Sequence, residues 1–229
     1  MALAAVLLLV AVSVLVVWLS SRDCFIFLHQ IVRNSAEVTR PWREYRREGN
    51  ALCLLRVALG FAVTALVLAP IAICWPDTIA PLLLTGEWDA AYLAPLVIGG
   101  VAVATTLVAH GVLAWFVDAV AVPIQYRRRC GPLQALQLGV ALALARPGAM
   151  LGYALSYLLT SVVVLLVLMV VIVVTCCLAG CLMSIPYLGT VFMLPLLVFI
   201  RSLQLIVLAQ FGQEHDVWVG CAERPTPQP

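Results

Sequence analysis

RPWREYRREGNALCLLRVALGFAVTALVLAPIAIC, residues 40–74, passes from four arginines within eight residues into a run whose only charge is Arg56. A bilayer core about 30 Å thick is crossed by roughly 20 apolar residues in a helix. This stretch therefore reads as a basic flank followed by a membrane span. Outward from it the same alternation recurs. Six arginines (Arg22, Arg33, Arg40, Arg43, Arg46, Arg47) separate the first apolar block from the second, and four (Arg127, Arg128, Arg129, Arg146) separate the third from the fourth. The gaps 76–90 and 179–186 hold none, and the chain has no lysine. Arginine-rich loops stay on the cytoplasmic side during insertion. The expected orientation is N-terminus outside and C-terminus cytoplasmic, in a multi-pass protein of the cell membrane.

Composition agrees. Of 229 residues, 64% are hydrophobic and only 10% charged, too few charges to cover a soluble domain. Five blocks approach spanning length: 2–19, 51–75, 91–117, 149–178 and 187–211. No alternating pattern of about ten residues recurs, which argues against a β-barrel. The expected fold is all-α: a polytopic integral membrane helical bundle of five transmembrane helices in a single domain, 1–212, with a polar tail, 213–229. The N-terminal block lacks the basic start and small-residue site of a cleaved leader, so it reads as a retained helix. Segments 24–33 and 132–145 are apolar but short and bracketed by arginines, and are expected to lie as cytoplasmic interfacial helices. Gly49-Asn50 signals a turn before the second span, Cys74-Trp75-Pro76 its end, and Pro195 a break in the fifth.

Three ionisable residues fall within the spans: Arg56, Asp118 and Arg201. A rise of 1.5 Å per residue puts Arg56 and Asp118 about 6–8 Å deep and Arg201 about 15 Å deep. Such residues face protein or water, because a charge at mid-bilayer costs about 2.5–3.5 kcal/mol. Gly100, Ala104, Gly111, Ala114 and Asp118 share one helix face, and Arg56, Gly60 and Thr64 another. The two faces are expected to pack, with Asp118 pairing with Arg56, Arg201 or both. The alternative is a polar path for protons or anions through Asp118, His110, Arg201 and Gln204. Tyr153, Ser156 and Thr160 form a stripe suited to hydrogen bonds between helices.

No HExxH, GxSxG or phosphate-binding glycine loop occurs, so neither catalysis nor a cofactor is expected. The eight cysteines lack zinc-site spacing and read first as small apolar side chains packing in helices, with Cys74 and Cys181 the pair to test for a disulfide outside. Glu214, His215 and Asp216 read as a solvated segment rather than a cation site. Nucleic acid is excluded as a partner by the lack of a long basic tract with interleaved aromatics. Membrane lipids, a membrane-protein partner or a second copy of the chain remain. The surface for them is the cytoplasmic face carrying Arg40, Trp42, Arg43, Tyr45, Arg46, Arg47, Arg127, Arg128, Arg129 and Arg146. A small-solute transporter or permease subunit, using the Arg56/Asp118/Arg201 cluster, is the competing reading.

Two stretches, RPWREYRREGN (40–50) and IPYLGTVFMLPLLVFIRSLQLIVLAQFG (185–212) followed by EHDVW, resemble a group of uncharacterised bacterial polytopic membrane proteins. These are similar in layout to the membrane domain associated with glycerophosphodiester phosphodiesterases. The resemblance implies a multi-helix membrane module of unknown activity and supplies no catalytic residues to carry over to this sequence. The arginine pattern makes the topology testable. Alkaline phosphatase fused after Thr85 should be active and after Arg129 inactive, with green fluorescent protein fusions giving the reverse.

Overall fold

A computed structural model describes residues 2–86, 89–175, 185–212 and 217–218. The described residues are helical almost throughout, without a strand. Helix α1 is Ala2–Arg33, α2 Thr39–Glu44 and α3 Arg46–Cys74. A π-helical turn, Trp75–Ile79, leads to α4, Ala80–Thr85, which ends at Gly86 with φ 69°. A 3₁₀ turn, Ala90–Tyr92, opens α5, Leu93–Phe116. A second π turn, Val117–Ala121, joins α5 to α6, Val122–Arg128. Then come α7, Pro132–Ala145, α8, Pro147–Val174, and α9, Pro186–Ala209.

Among the described residues, four helical segments are long and apolar enough to cross a membrane: Ala4–Arg33, Arg46–Leu84, Ala90–Arg128 and Pro147–Val174. In α9 the apolar stretch that qualifies is the shorter Leu194–Ala209.

Several expected breaks are absent, for identifiable reasons. Residues 24–33 are no separate interfacial helix. No glycine or proline interrupts residues 2–33, so α1 runs on unbroken for 32 residues, about 48 Å. That exceeds the hydrocarbon thickness, and the surplus becomes core: Phe25, Leu28 and Val32 are buried. Gly49 and Asn50 lie inside α3 rather than in a turn. Pro41 sits in the first turn of α2, where a missing N–H costs nothing, so Arg40 is helical too. Pro195 lies within a continuous α9. The segment 132–145 is a distinct helix as expected. It turns Ala135 and Gly139 inward, however, and leaves Leu133, Val140 and Leu144 exposed. Cys181 and residues 213–216 fall outside the described residues. Val217, assigned by sequence to a polar tail, is buried in the core.

The end of Cys74-Trp75-Pro76 and the end of the third span are also passed through, by one device. Each π turn has a proline six positions after its first residue: Pro81 after Trp75 and Pro123 after Val117. A proline in an α-helix lacks its N–H and clashes with the carbonyl four residues back. Widening that turn to a π register relieves the clash while the helix continues.

Packing is uneven. The buried residues concentrate at the arginine-rich end, where Phe25, Leu52, Val120, Val122, Tyr153, Leu205 and Leu208 are enclosed. Toward the other end of the helices Ile73, Ile98 and Val174 each stay more than 70% exposed, as lipid-facing side chains do. Helices α3 and α5 adjoin as expected, but not through the expected glycines. A Cβ on Gly60, Gly100 or Gly111 would meet nothing within 4 Å, whereas one on Gly99 would meet Cys74 Sγ at 3.3 Å. The closest approaches are at Gly49, where a Cβ would lie 3.0 Å from Arg22 Cγ, and at Gly139, 3.0 Å from Val120 Cγ1. Gly139→Val should therefore destabilise by about 1–3 kcal/mol through overpacking. Gly60→Ala and Gly100→Ala should leave the melting temperature in detergent unchanged or slightly raised.

Candidate functional site

The three charges found in the spans meet in one layer. Pro123 shapes it. The Val122 N–H bonds the Val117 carbonyl in the π register. The next bond in that register would run from residue 123 to the Asp118 carbonyl, and in the α register from residue 123 to the Ala119 carbonyl. Proline supplies neither. Arg201 Nη1 donates to the Asp118 carbonyl at 3.0 Å, and the Tyr153 hydroxyl donates to the Ala119 carbonyl at 3.2 Å. Helices α9 and α8 are thus tied to the same irregular turn.

The Asp118 carboxylate, carried on that turn, pairs with Arg56 Nη2 of α3. Arg56 also donates to Ser21 Oγ at 3.3 Å and lies 3.4 Å from Cys24 Sγ, both on α1. Of the expected alternatives, the carboxylate takes Arg56 and Arg201 takes the backbone. Arg201 is further held by Gln204 Oε1 at 3.0 Å. Its side-chain length closes the depth difference that residue counting gave.

Two cavities flank this layer. One, of about 530 Å³, lies between α1, α5, α8 and α9 and is lined by Asp23, Trp115, Asp118, Tyr157, Arg201 and Gln204 together with apolar residues. The other, of about 440 Å³, is lined by Arg56, Gly60, His110 and Asp118 among others. Cys24 and Asp118 border both. His110 Nδ1 is buried without a hydrogen-bond partner. The stripe on α8 divides: Tyr153 bonds across to α5–α6, while Ser156 and Thr160 bond back to their own helix at 2.8 Å.

The arginine-rich face also divides. Arg129, whose φ of 51° caps α6, stacks on the Tyr45 ring at 3.8 Å and pairs with Glu44 and Glu48. Tyr45 stacks with Phe25 at 5.8 Å and with Tyr126 at 4.9 Å between ring centroids. Burial, reinforced by Tyr126, holds its phenol above the ordinary range, so it stays protonated. Arg22 donates to Asn50 Oδ1 at 2.9 and 3.2 Å and lies over the rings of Trp18 and Trp42. Arg40 pairs with Glu44 at 3.9 Å across an exposed helical turn, a contact of little energetic weight. Arg43, Arg46 and Arg47 are exposed, as are Arg128 and Arg146, while Arg127 is half-buried. Trp18, Arg22, Trp42, Arg43 and Arg46 line a cavity of about 470 Å³.

Residues 1–217 match a family described as a family of unknown function, DUF7544. The chain belongs to that family. Neither a curated protein nor a solved structure matches it. Among the described residues no three His, Cys, Asp or Glu side chains are grouped to hold a metal.

Sequence reasoning did not find Ser21, Cys24, Asn50 or Tyr153 as partners of these charges. The signal that could have found Tyr153 was Pro123, which announces carbonyls in need of donors. The ion pair is open to a mutant cycle. Asp118→Ala should lower stability in detergent by up to about 3 kcal/mol, because it leaves Arg56 unpaired in an apolar setting. Arg56→Gln with Asp118→Asn should recover most of that loss, read as the melting temperature of each purified variant.

Proposed function

We propose that this DUF7544 protein is a non-catalytic membrane module whose working surface is its arginine-rich face. In this reading the face is cytoplasmic and the N-terminus outside, because arginines crowd alternate loops. Helix α9 completes five spans, and α7, with Leu133, Val140 and Leu144 turned outward, lies at the interface.

The observation that carries the reading is the division of the arginines. Arg22 and Arg129 are immobilised by tryptophan, tyrosine, asparagine and carboxylate partners, and they fix α2 against α1 and α3. Arg43, Arg46 and Arg47 stand exposed on the platform so formed. Fixed cations at a membrane surface attract anionic headgroups or an acidic partner at about 1 kcal/mol per residue.

A second reading, a small-solute path, draws on the two cavities that meet at Asp118. It requires a solute-specific flux in proteoliposomes that Asp118→Asn and Arg201→Lys abolish in folded protein.

Native mass spectrometry of the intact complex, extracted in mild detergent, tests the first reading. A stoichiometric partner or tightly held anionic lipid should be present, and lost when Arg43, Arg46 and Arg47 are all changed to Glu while the helices still insert. Retention of both in that variant would sink the surface proposed here.

A further inference from the structure

The cavity between α1, α5, α8 and α9 is lined by one cation and one anion that no described residue pairs. Asp118 is neutralised by Arg56, so Arg201, which among the described residues bonds a backbone carbonyl and an amide oxygen but no carboxylate, is left without a counter-ion. Asp23, on the α1 side, has no ion pair or hydrogen bond among the described residues. Both charges belong to one layer. Asp23 adjoins Cys24, which touches Arg56; Arg56 holds Asp118; and Asp118 meets Arg201. Leu194, Leu197 and Ile200 of α9 and Phe27 of α1 give the same cavity an apolar wall.

Arg201 is half-buried, where an uncompensated charge is costly, and Asp23 is exposed; a ligand that pairs them gains what the protein has left unmade. Two opposite charges lining one cavity call for a zwitterion, and the apolar residues beside them call for hydrocarbon attached to it. We propose that this cavity binds a phospholipid with a primary-amine headgroup. Its phosphate takes the remaining N–H groups of Arg201, its ammonium donates to Asp23, and an acyl chain lies along Leu194, Leu197 and Ile200. An anionic headgroup would satisfy Arg201 but meet Asp23 as a like charge, which is where selectivity arises. The volume of about 530 Å³ accommodates a headgroup and the start of its chains. The site is separate from the exposed arginine platform and stands whether or not that platform binds a partner.

The test uses the full chain with Arg43, Arg46 and Arg47 changed to Glu in every sample, so that lipid held at the exposed platform is not counted. Wild type here means Asp23 and Arg201 intact on that background. The protein is delipidated in detergent and titrated with dioleoyl phosphatidylethanolamine or dioleoyl phosphatidylglycerol under native mass spectrometry. Wild type should retain one phosphatidylethanolamine in preference to phosphatidylglycerol by about tenfold. Asp23→Asn removes only the charge of a side chain that has no partner among the described residues, and should fold normally. It should erase or invert that preference. Arg201→Gln should lose both lipids, and Arg201→Lys, which keeps the charge, should retain phosphatidylethanolamine. Equal retention of the two lipids by wild type, or a preference unchanged in Asp23→Asn, would overturn the assignment. Lipid loss in Arg201→Gln counts in its favour only if Arg201→Lys still binds; loss in both, with folded protein, overturns it.

Discussion

A missing hydrogen organises the arginine-rich half of this protein. Pro123 cannot donate to the carbonyls of Asp118 or Ala119, and apolar surroundings offer no water to replace it. The turn widens, and two donors from other helices fill the vacancies, Arg201 from α9 and Tyr153 from α8. The same turn presents the Asp118 carboxylate to Arg56 on α3, which in turn touches α1. One proline thus recruits contacts from four other helices. The other π turn, Trp75–Ile79, has Pro81 in the corresponding position.

The position of this layer explains why the core sits at one end. Apolar helices in lipid gain little by burying leucine against leucine, since the surrounding chains are as apolar as the protein. Polar satisfaction and aromatic stacking remain as specific attractions. Both are concentrated in residues 21–56 and 115–128, where the Phe25–Tyr45–Tyr126 stack and the bond between His29 and Tyr126 lie beside the ion pair. The opposite halves of the helices have few such groups and remain open to lipid.

The two kinds of charge have different consequences. Arg56 and Asp118 answer each other, and Arg22 and Arg129 are answered by rings, amide and carboxylates, so these residues hold shape. Arg201 and Asp23 inside the cavity, and Arg43, Arg46 and Arg47 outside it, are left with capacity to bind. Function in this family member is sought in that second group, because affinity for a ligand comes from charge the fold has not already used.

The amino-acid sequence by itself determined the helical class, the extent of the apolar segments and the presence of charges within them. Those follow from composition and from the length needed to cross a bilayer. It also pointed to Arg56, Arg201 or both as partners of Asp118, because all three lie in the same half of the apolar segments. The tertiary structure alone decided that 24–33 is core rather than interface, that α3 passes through Gly49-Asn50, and that Gly49, Gly99 and Gly139 are the close approaches. Helix boundaries at glycine and proline depend on what packs around them, and neighbouring helices overrule local preference. Which of two carbonyls a distant arginine reaches, and which charges stay unpaired, depends on distances between segments far apart in the chain. Depth along a single helix cannot supply those distances.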